Sequence, residues 1–302
     1  MNNRYKNVHA LPGHTGHKAK KSLGQNFLKS EPALRKIIEA GEISKDDIIL
    51  EIGPGKGALT KKLLEKAGFV VAIEKDRNLF QLLEEKFKQE IKDKKLILIE
   101  GDILEFNPST ISSIFSYLGQ GHSIIAYKVI ANIPYNITGA ILKKFLTEQN
   151  QPSLMILMVQ HEVAKRICVQ ARRGHSAKES ILSVSVKAYG IPKIEMKVPA
   201  RYFSPAPKVD SAIISIKNIS RKLFTEKIKD EECPGKAWTL NEGKFWEVIH
   251  AGFAHKRKIL FSNLKKTLKF DAQTEEKNKK ILGKKRAEEL SLEDWVLLTK
   301  NL

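Results

Sequence analysis

The chain has 302 residues, 42% of them apolar, and a formal net charge of +19. That length supports two domains and a sizeable core, and the ordinary apolar content excludes a disordered, low-complexity chain. No run of about 18 apolar residues occurs, so no membrane span or membrane partner is expected. Cys168 and Cys233 have neither metal spacing nor a disulfide framework, which fits a reduced, cytoplasmic compartment.

The charge is unevenly placed. Residues 1–30 carry six Lys/Arg and no acid, and residues 31–150 carry 17 of each sign. Residues 151–222 carry 13 basic against four acidic, and residues 223–302 carry 17 against 13. A neutral central unit with basic flanks implies chemistry in the centre and a polyanion, RNA or DNA, held at the flanks.

Residues 1–21, rich in His, Gly, Asn and Lys, read as a mobile basic arm. His9, His14 and His17 fall in that arm and read as solvated, so no metal is expected. Ser30 as N-cap, Pro32 in the first turn and a shared face of Leu34, Ile37 and Ile38 predict a helix over 31–41. An apolar strand over 47–52 feeds the loop Gly53-Pro54-Gly55-Lys56-Gly57 and a helix over 58–66. A strand over 69–74, a helix over 79–91 and a strand over 96–100 follow, the last closing on Gly101-Asp102. A strand near 124–131 runs into the turn Asn132-Ile133-Pro134-Tyr135. Then come a helix over 139–147, a strand over 153–160 and a helix over 162–171. Residues 180–189 suit a helix end or a strand, and 212–216 is a late strand.

After about residue 220 the strand signal stops. Residues 245–270 and 286–302 read as helices, the second opened by the capping-box-like Ser291-Leu292-Glu293-Asp294. The alternation predicts an α/β fold with a parallel, doubly wound sheet over 22–220. A small all-helical C-terminal domain over 221–302 follows.

The chemistry gathers at successive strand ends. Glycines at 53 and 55 let the backbone approach a ligand with no Cβ in the way. Glu74, at the end of the next strand, suits both hydroxyls of a ribose. Loop and acid together serve a dinucleotide as well as S-adenosylmethionine. Asp102 suits an adenine amino group. At the fourth strand end, the amide oxygen of Asn132 and the carbonyl of Ile133 can accept from an exocyclic amine. Pro134 stiffens the turn, and the ring of Tyr135 can stack on a base. A buried Asn capping a turn, with Tyr135 in the core, is the plainer reading of the same four residues.

The order glycine loop, Glu74, Asp102, Asn132 resembles the Rossmann-like S-adenosylmethionine methyltransferases. Leu23-Gly24-Gln25-Asn26-Phe27-Leu28, Gly101-Asp102-Ile103-Leu104 and Asn132-Ile133-Pro134-Tyr135-Asn136-Ile137 sharpen the match. So do Tyr202-Phe203-Ser204-Pro205-Ala206-Pro207-Lys208-Val209-Asp210-Ser211 and the basic segment Gly252 to Leu260. Together they resemble the KsgA-type rRNA adenine N6,N6-dimethyltransferases over roughly residues 18–270, the basic segment matching that family's C-terminal basic helix. Residues 172–178 depart from the Pro-Gly-containing loop of that family.

The resemblance implies S-adenosylmethionine as donor and two methyl transfers to each of two adjacent adenines near the 3′ end of small-subunit rRNA. It implies cofactor contacts at Asn26, Leu28, Gly53, Glu74, Asp102 and Asn132, with Gly55 in the same loop. Tyr135 and Phe203 are expected to sandwich the target base, and Arg172, Arg173, Lys256, Arg257 and Lys258 to hold phosphates. The expected partner is rRNA in an assembling small subunit, bound by a monomer. Erm-type large-subunit rRNA methyltransferases share most of the motifs, and a non-catalytic role as a subunit-binding factor is a reading of another class.

Overall fold

The computed structural model describes residues 19–117, 126–170, 178–229, 237–269 and 272–302. Seven strands form its main sheet: β1 (Ile48–Ile52), β2 (Phe69–Glu74), β3 (Leu96–Glu100), β4 (Tyr127–Asn132), β5 (Leu154–Gln160), β6 (Ile191–Val198) and β7 (Ser211–Lys217). Their order is β3-β2-β1-β4-β5-β7-β6. The first five strands are parallel, and β7 runs antiparallel between β5 and β6. Because β2 lies on one side of β1 and β4 on the other, the winding reverses at β1. Open α/β sheets bind ligands beyond the strand ends at such a reversal.

The strands read as continuous apolar runs because helices cover both faces. Alternate residues still serve opposite layers. Leu50, Val71, Val129 and Leu157 point into one, while Ile49, Val70, Ile130 and Ile156 point into the other. The second layer is closed by the helices Glu31–Ala40 and Ala58–Lys66. The first is closed by the helix Thr138–Thr147 and continues into Phe245, Val248 and Trp295 of the helices that follow β7. Polar ties reinforce that continuity: Glu242 accepts from Tyr189 and pairs with Arg221, which also donates to the Thr147 carbonyl at 2.6 Å.

Several elements differ from the sequence reading. The helix expected over 79–91 is two, Arg77–Lys86 and Lys88–Lys92, broken at Phe87. Phe87 packs so closely on the glycine loop that a Cβ on Gly57 would stand 2.5 Å from its ring. The helix Ser109–Tyr117 was not expected from its run of Ser and Thr. Nor was β6, an edge strand carrying Lys193, Glu195 and Lys197, residues that protect an edge and erase the apolar signal. The ambiguous stretch near 180–189 is a helix, Ile181–Lys187.

The helix expected over 245–270 also divides, into Glu242–Phe253 and Leu260–Thr267. The Asn263 amide donates to the carbonyls of Gly252 at 2.7 Å and His255 at 3.1 Å, so the end of the first helix is satisfied from within the second. Lys256-Arg257-Lys258 therefore sit in an exposed turn, a correction to the basic helix implied by resemblance. A further helix spans Ala272–Leu282, and the last, Leu292–Lys300, starts at the capping box read from Ser291. Beyond the helices, a ladder of two residues per strand pairs Ile228–Lys229 with Ala237–Trp238. No helix among the described residues is long and apolar enough to cross a membrane.

Candidate active site

The C-terminal ends of β1 to β4 open on one cavity of about 670 Å³. Its walls include ten of the residues singled out from sequence: Asn26, Leu28, Gly53, Gly55, Glu74, Asp102 and the whole Asn132-Ile133-Pro134-Tyr135 turn.

The glycine loop bends through left-handed backbone, with φ of 63° at Gly53 and 61° at Gly55. A Cβ on Gly53 would meet no atom within 4 Å, so bare backbone faces open cavity there. The Gly55 N–H instead donates to Glu74 Oε2 at 3.0 Å, and Asp76 N–H donates to Oε1 at 2.8 Å. These bonds hold the Glu74 carboxyl in one orientation and leave each oxygen a second lone pair. Burial pushes its pKa up, against the pull of those N–H groups.

Glu51 lies beside it, 1% exposed, with Oε2 buried and lacking a hydrogen-bond partner among the described residues. Burial first, and the nearby Glu74 charge second, push its carboxyl up to about 8. Asp102 has the opposite environment. Lys75 pairs with it at 2.6 Å and the Leu104 N–H donates to it at 2.9 Å, holding its pKa low.

The segment before the first helix crosses over this loop as a strap. Phe27–Leu28 pairs antiparallel with Phe203–Ser204, and Lys29 N–H donates to the Tyr202 carbonyl at 2.8 Å. Its other end is tied to Asp76, which accepts from Lys20 Nζ at 2.8 Å and Gln25 Nε2 at 2.9 Å. Burial raises the Asp76 carboxyl, but these donors outweigh it and the net shift is downward. Sequence reasoning missed Asp76. The available signal was its place as N-cap of the helix Arg77–Lys86, where it accepts from Asn78 N–H.

The strap also orients the acceptor turn. The Asn132 amide nitrogen donates to the Asn26 carbonyl at 3.0 Å, which sets which end of the amide is which. Its amide oxygen then takes no hydrogen bond among the described residues, and Asn132 lines the cavity. Three residues on, the Tyr135 hydroxyl lies 2.5 Å from Ser211 Oγ, the first residue of β7.

Phe203 does not join this constellation. It is 2% exposed, paired with Leu28 in the strap ladder and packed in the second core layer. Alternation along the strand sends its neighbour Ser204 to the cavity wall instead. Of the two rings expected to sandwich a base, Tyr135 lines the cavity and the buried Phe203 does not. Of the basic candidates, Lys256, Arg257 and Lys258 are exposed. Lys256 also borders a second cavity of about 740 Å³, with Lys143, Arg166, Trp246 and His250. Arg172 and Arg173 lie outside the described residues. Among the described residues no cluster of His, Cys, Asp and Glu could hold a metal.

Comparison with known proteins places this geometry. The family model described as "Ribosomal RNA adenine dimethylase" matches residues 16–302. The "Ribosomal RNA small subunit methyltransferase A" of Dehalococcoides mccartyi is 36% identical over 284 residues, covering 93% of this chain and 87% of that protein. Its namesake in Fusobacterium nucleatum is 35% identical over 290 residues, covering 94% and 97%. Among solved structures, a dimethyladenosine transferase from Plasmodium falciparum aligns at a TM-score of 0.68 with 23% identity, covering 90% of this chain and 95% of that one. The 23S rRNA methyltransferase ErmE aligns at 0.65 with 23% identity, covering 92% and 99%. These two likenesses share the Rossmann-like methyltransferase fold. With a matching model over nearly its whole length, the chain belongs to the ribosomal RNA adenine dimethylase family.

Proposed function

We propose that the protein dimethylates N6 of two adjacent adenines near the 3′ end of small-subunit rRNA, using S-adenosylmethionine, on an assembling subunit in the cytoplasm. The observation that carries this reading is the fixed Asn132 amide, its oxygen without a hydrogen bond among the described residues, in the wall of the cavity that the glycine loop and Glu74 also line.

The cavity suits the donor. Bare backbone at Gly53 leaves room for it, the remaining lone pairs of Glu74 suit ribose hydroxyls, and Asp102 suits an adenine amine. Bound there, S-adenosylmethionine supplies a methyl on a positively charged sulfur. The chain's own part is alignment. Adenine N6 is a weak nucleophile because its lone pair is delocalised into the ring. Asn132 Oδ1 and the Ile133 carbonyl accept its two hydrogens and favour a pyramidal nitrogen whose lone pair faces the methyl. Tyr135 stacks on the base, which must leave its helix to arrive there. Each transfer makes one N–C bond, leaves the C–S pair on sulfur and releases one N6 proton.

Residues 22–220 form the catalytic unit in this reading. Residues 221–302, with the exposed Lys256-Arg257-Lys258 turn, hold rRNA phosphates, and the enzyme acts as a monomer. Labelled-methyl transfer to under-methylated small subunits and to protein-free large-subunit rRNA, with base analysis by mass spectrometry, tests it. N6,N6-dimethyladenine on the small subunit alone is the expected result. Product on large-subunit RNA alone would reassign the substrate, and tight subunit binding without product would make the protein a binding factor.

A further inference from the structure

We infer that Ser211 is a positioning residue for the second of the two methyl transfers, acting through the hydroxyl of Tyr135. The inference rests on the acceptor reading above and adds to it a residue that separates the two steps.

The two transfers pose different problems. Unmodified adenine offers two N6 hydrogens, one each for Asn132 Oδ1 and the Ile133 carbonyl. Once the first methyl is in place only one hydrogen is left. One of the two polar anchors is lost, and the orientation of the base depends more on the ring it stacks against. A tyrosine ring held only at its Cβ end is free to tilt about χ2. A hydrogen bond at the far end removes that freedom.

Ser211 supplies such a bond from a rigid place. It is 0% exposed and pairs with Gln160 of β5 on one side and Val198 of β6 on the other. The residue before it is tied down as well. Asp210 accepts the Ala200 N–H at 3.0 Å through its side chain and the His161 N–H at 2.9 Å through its carbonyl. Three strand ends thus fix Ser211 Oγ, whose hydrogen-bond partner among the described residues is the Tyr135 hydroxyl at 2.5 Å. The opposite end of the same turn is held by Asn26 through Asn132, so amide and ring are oriented independently. The Asn132 bond serves both transfers. The Ser211 bond matters most where the ring carries the greater share of orientation.

The test is a time course of methyl transfer to under-methylated small subunits by Ser211→Ala protein, with N6-methyladenine and N6,N6-dimethyladenine quantified separately. The first transfer should slow by about threefold or less and the second by tenfold or more, so that monomethylated base accumulates. Tyr135→Phe removes the other hydroxyl of the pair. It should raise the mono-to-dimethyl ratio alike, and the double variant should raise it no further, since both deletions break one bond. A variant with the wild-type ratio, or one in which both transfers fall together, overturns the inference. If Ser211→Ala does not fold, judged by its thermal melt, Tyr135→Phe alone decides on the same two outcomes. Wild-type protein that forms neither product overturns the acceptor reading itself. Wild-type dimethylation with an unmoved ratio in the variants overturns only the role of Ser211.

Discussion

The carboxamide of Asn132 and the backbone carbonyl of Asn26 meet at 3.0 Å across a separation of 106 residues. In the proposed reading the bond makes the strap part of the acceptor site, because it decides which atom of the amide is left to accept from the base. Asn132→Ala removes both the acceptor and the tie. Methyl transfer should fall by at least about 10²-fold, as when one preorganised polar group is deleted from a transition-state site. Asn132→Asp should fare no better, since it sets a carboxylate against the Asn26 carbonyl. Both variants should melt close to wild type because the side chain is only half buried. Near-normal turnover by either would remove Asn132 from the chemistry.

Asp76 anchors the other end of the strap, and no part of its side chain is exposed. Asp76→Ala removes the bonds donated by Lys20 Nζ and Gln25 Nε2 and the cap of the helix Arg77–Lys86. Loss of the cap alone costs about 1 kcal/mol. The strap carries Asn26 and Leu28 into the cavity wall, so the Kd for S-adenosylmethionine should weaken by roughly tenfold, a shift of about 1.4 kcal/mol by calorimetry. Unchanged affinity would make the strap a passive cover. The Asp76 carboxyl is held below its ordinary range, so its contribution is present at neutral pH and is lost as pH falls through its folded-state pKa.

Glu51 predicts the opposite slope. Its carboxyl titrates near 8 in the folded chain, against an ordinary value of 4.5. Between those values the folded state keeps a proton that the unfolded chain releases, so stability falls as pH rises through the window and is level below it. Glu51→Gln puts an uncharged side chain of equal shape in the same place. Thermal melts from pH 5 to 9 should show a flatter profile for the variant than for wild type. Some slope should persist, because burial also raises Glu74. Parallel profiles would mean that Glu51 is ionised and compensated in the fold.

The Lys256-Arg257-Lys258 turn should act on RNA binding alone. Lys266 lies beside Lys258, and the two ammonium groups depress the Lys258 pKa, a repulsion that a phosphate would relieve. Replacing all three residues by Ala should weaken subunit binding and flatten the plot of log K against log salt. The slope should lessen by about 0.7–0.9 for each phosphate contact removed, with cofactor affinity unchanged. An unaltered salt slope would take this turn out of the interface.

Much of the cavity wall was legible because its pattern is written in local terms. A glycine run after an apolar strand, acids at the next two strand ends and an Asn-x-Pro-aromatic turn each follow from backbone geometry near a sheet edge, and all of them line one cavity. What was not legible depends on partners distant in sequence. Phe203 looked like a stacking ring, yet whether a residue of a short ladder faces cavity or core depends on its register with Leu28. Ser211 and Asp76 gained their places only when β7 met the Asn132 turn and the strap crossed the glycine loop. The break after Phe253 was hidden because Asn263, ten residues further on, closes the end of the helix.

The ladder between Phe27–Leu28 and Phe203–Ser204 has a consequence for biosynthesis. On a translating ribosome the glycine loop, Glu74 and Asp102 emerge early, but the strap has no strand to pair with until residue 204 has left the exit tunnel. A nascent chain arrested before that point would carry nearly the whole cavity wall and still lack the closure over it. The cavity is therefore among the last parts of the α/β unit to mature, and in the proposed reading cofactor retention becomes a report that its two ends have met.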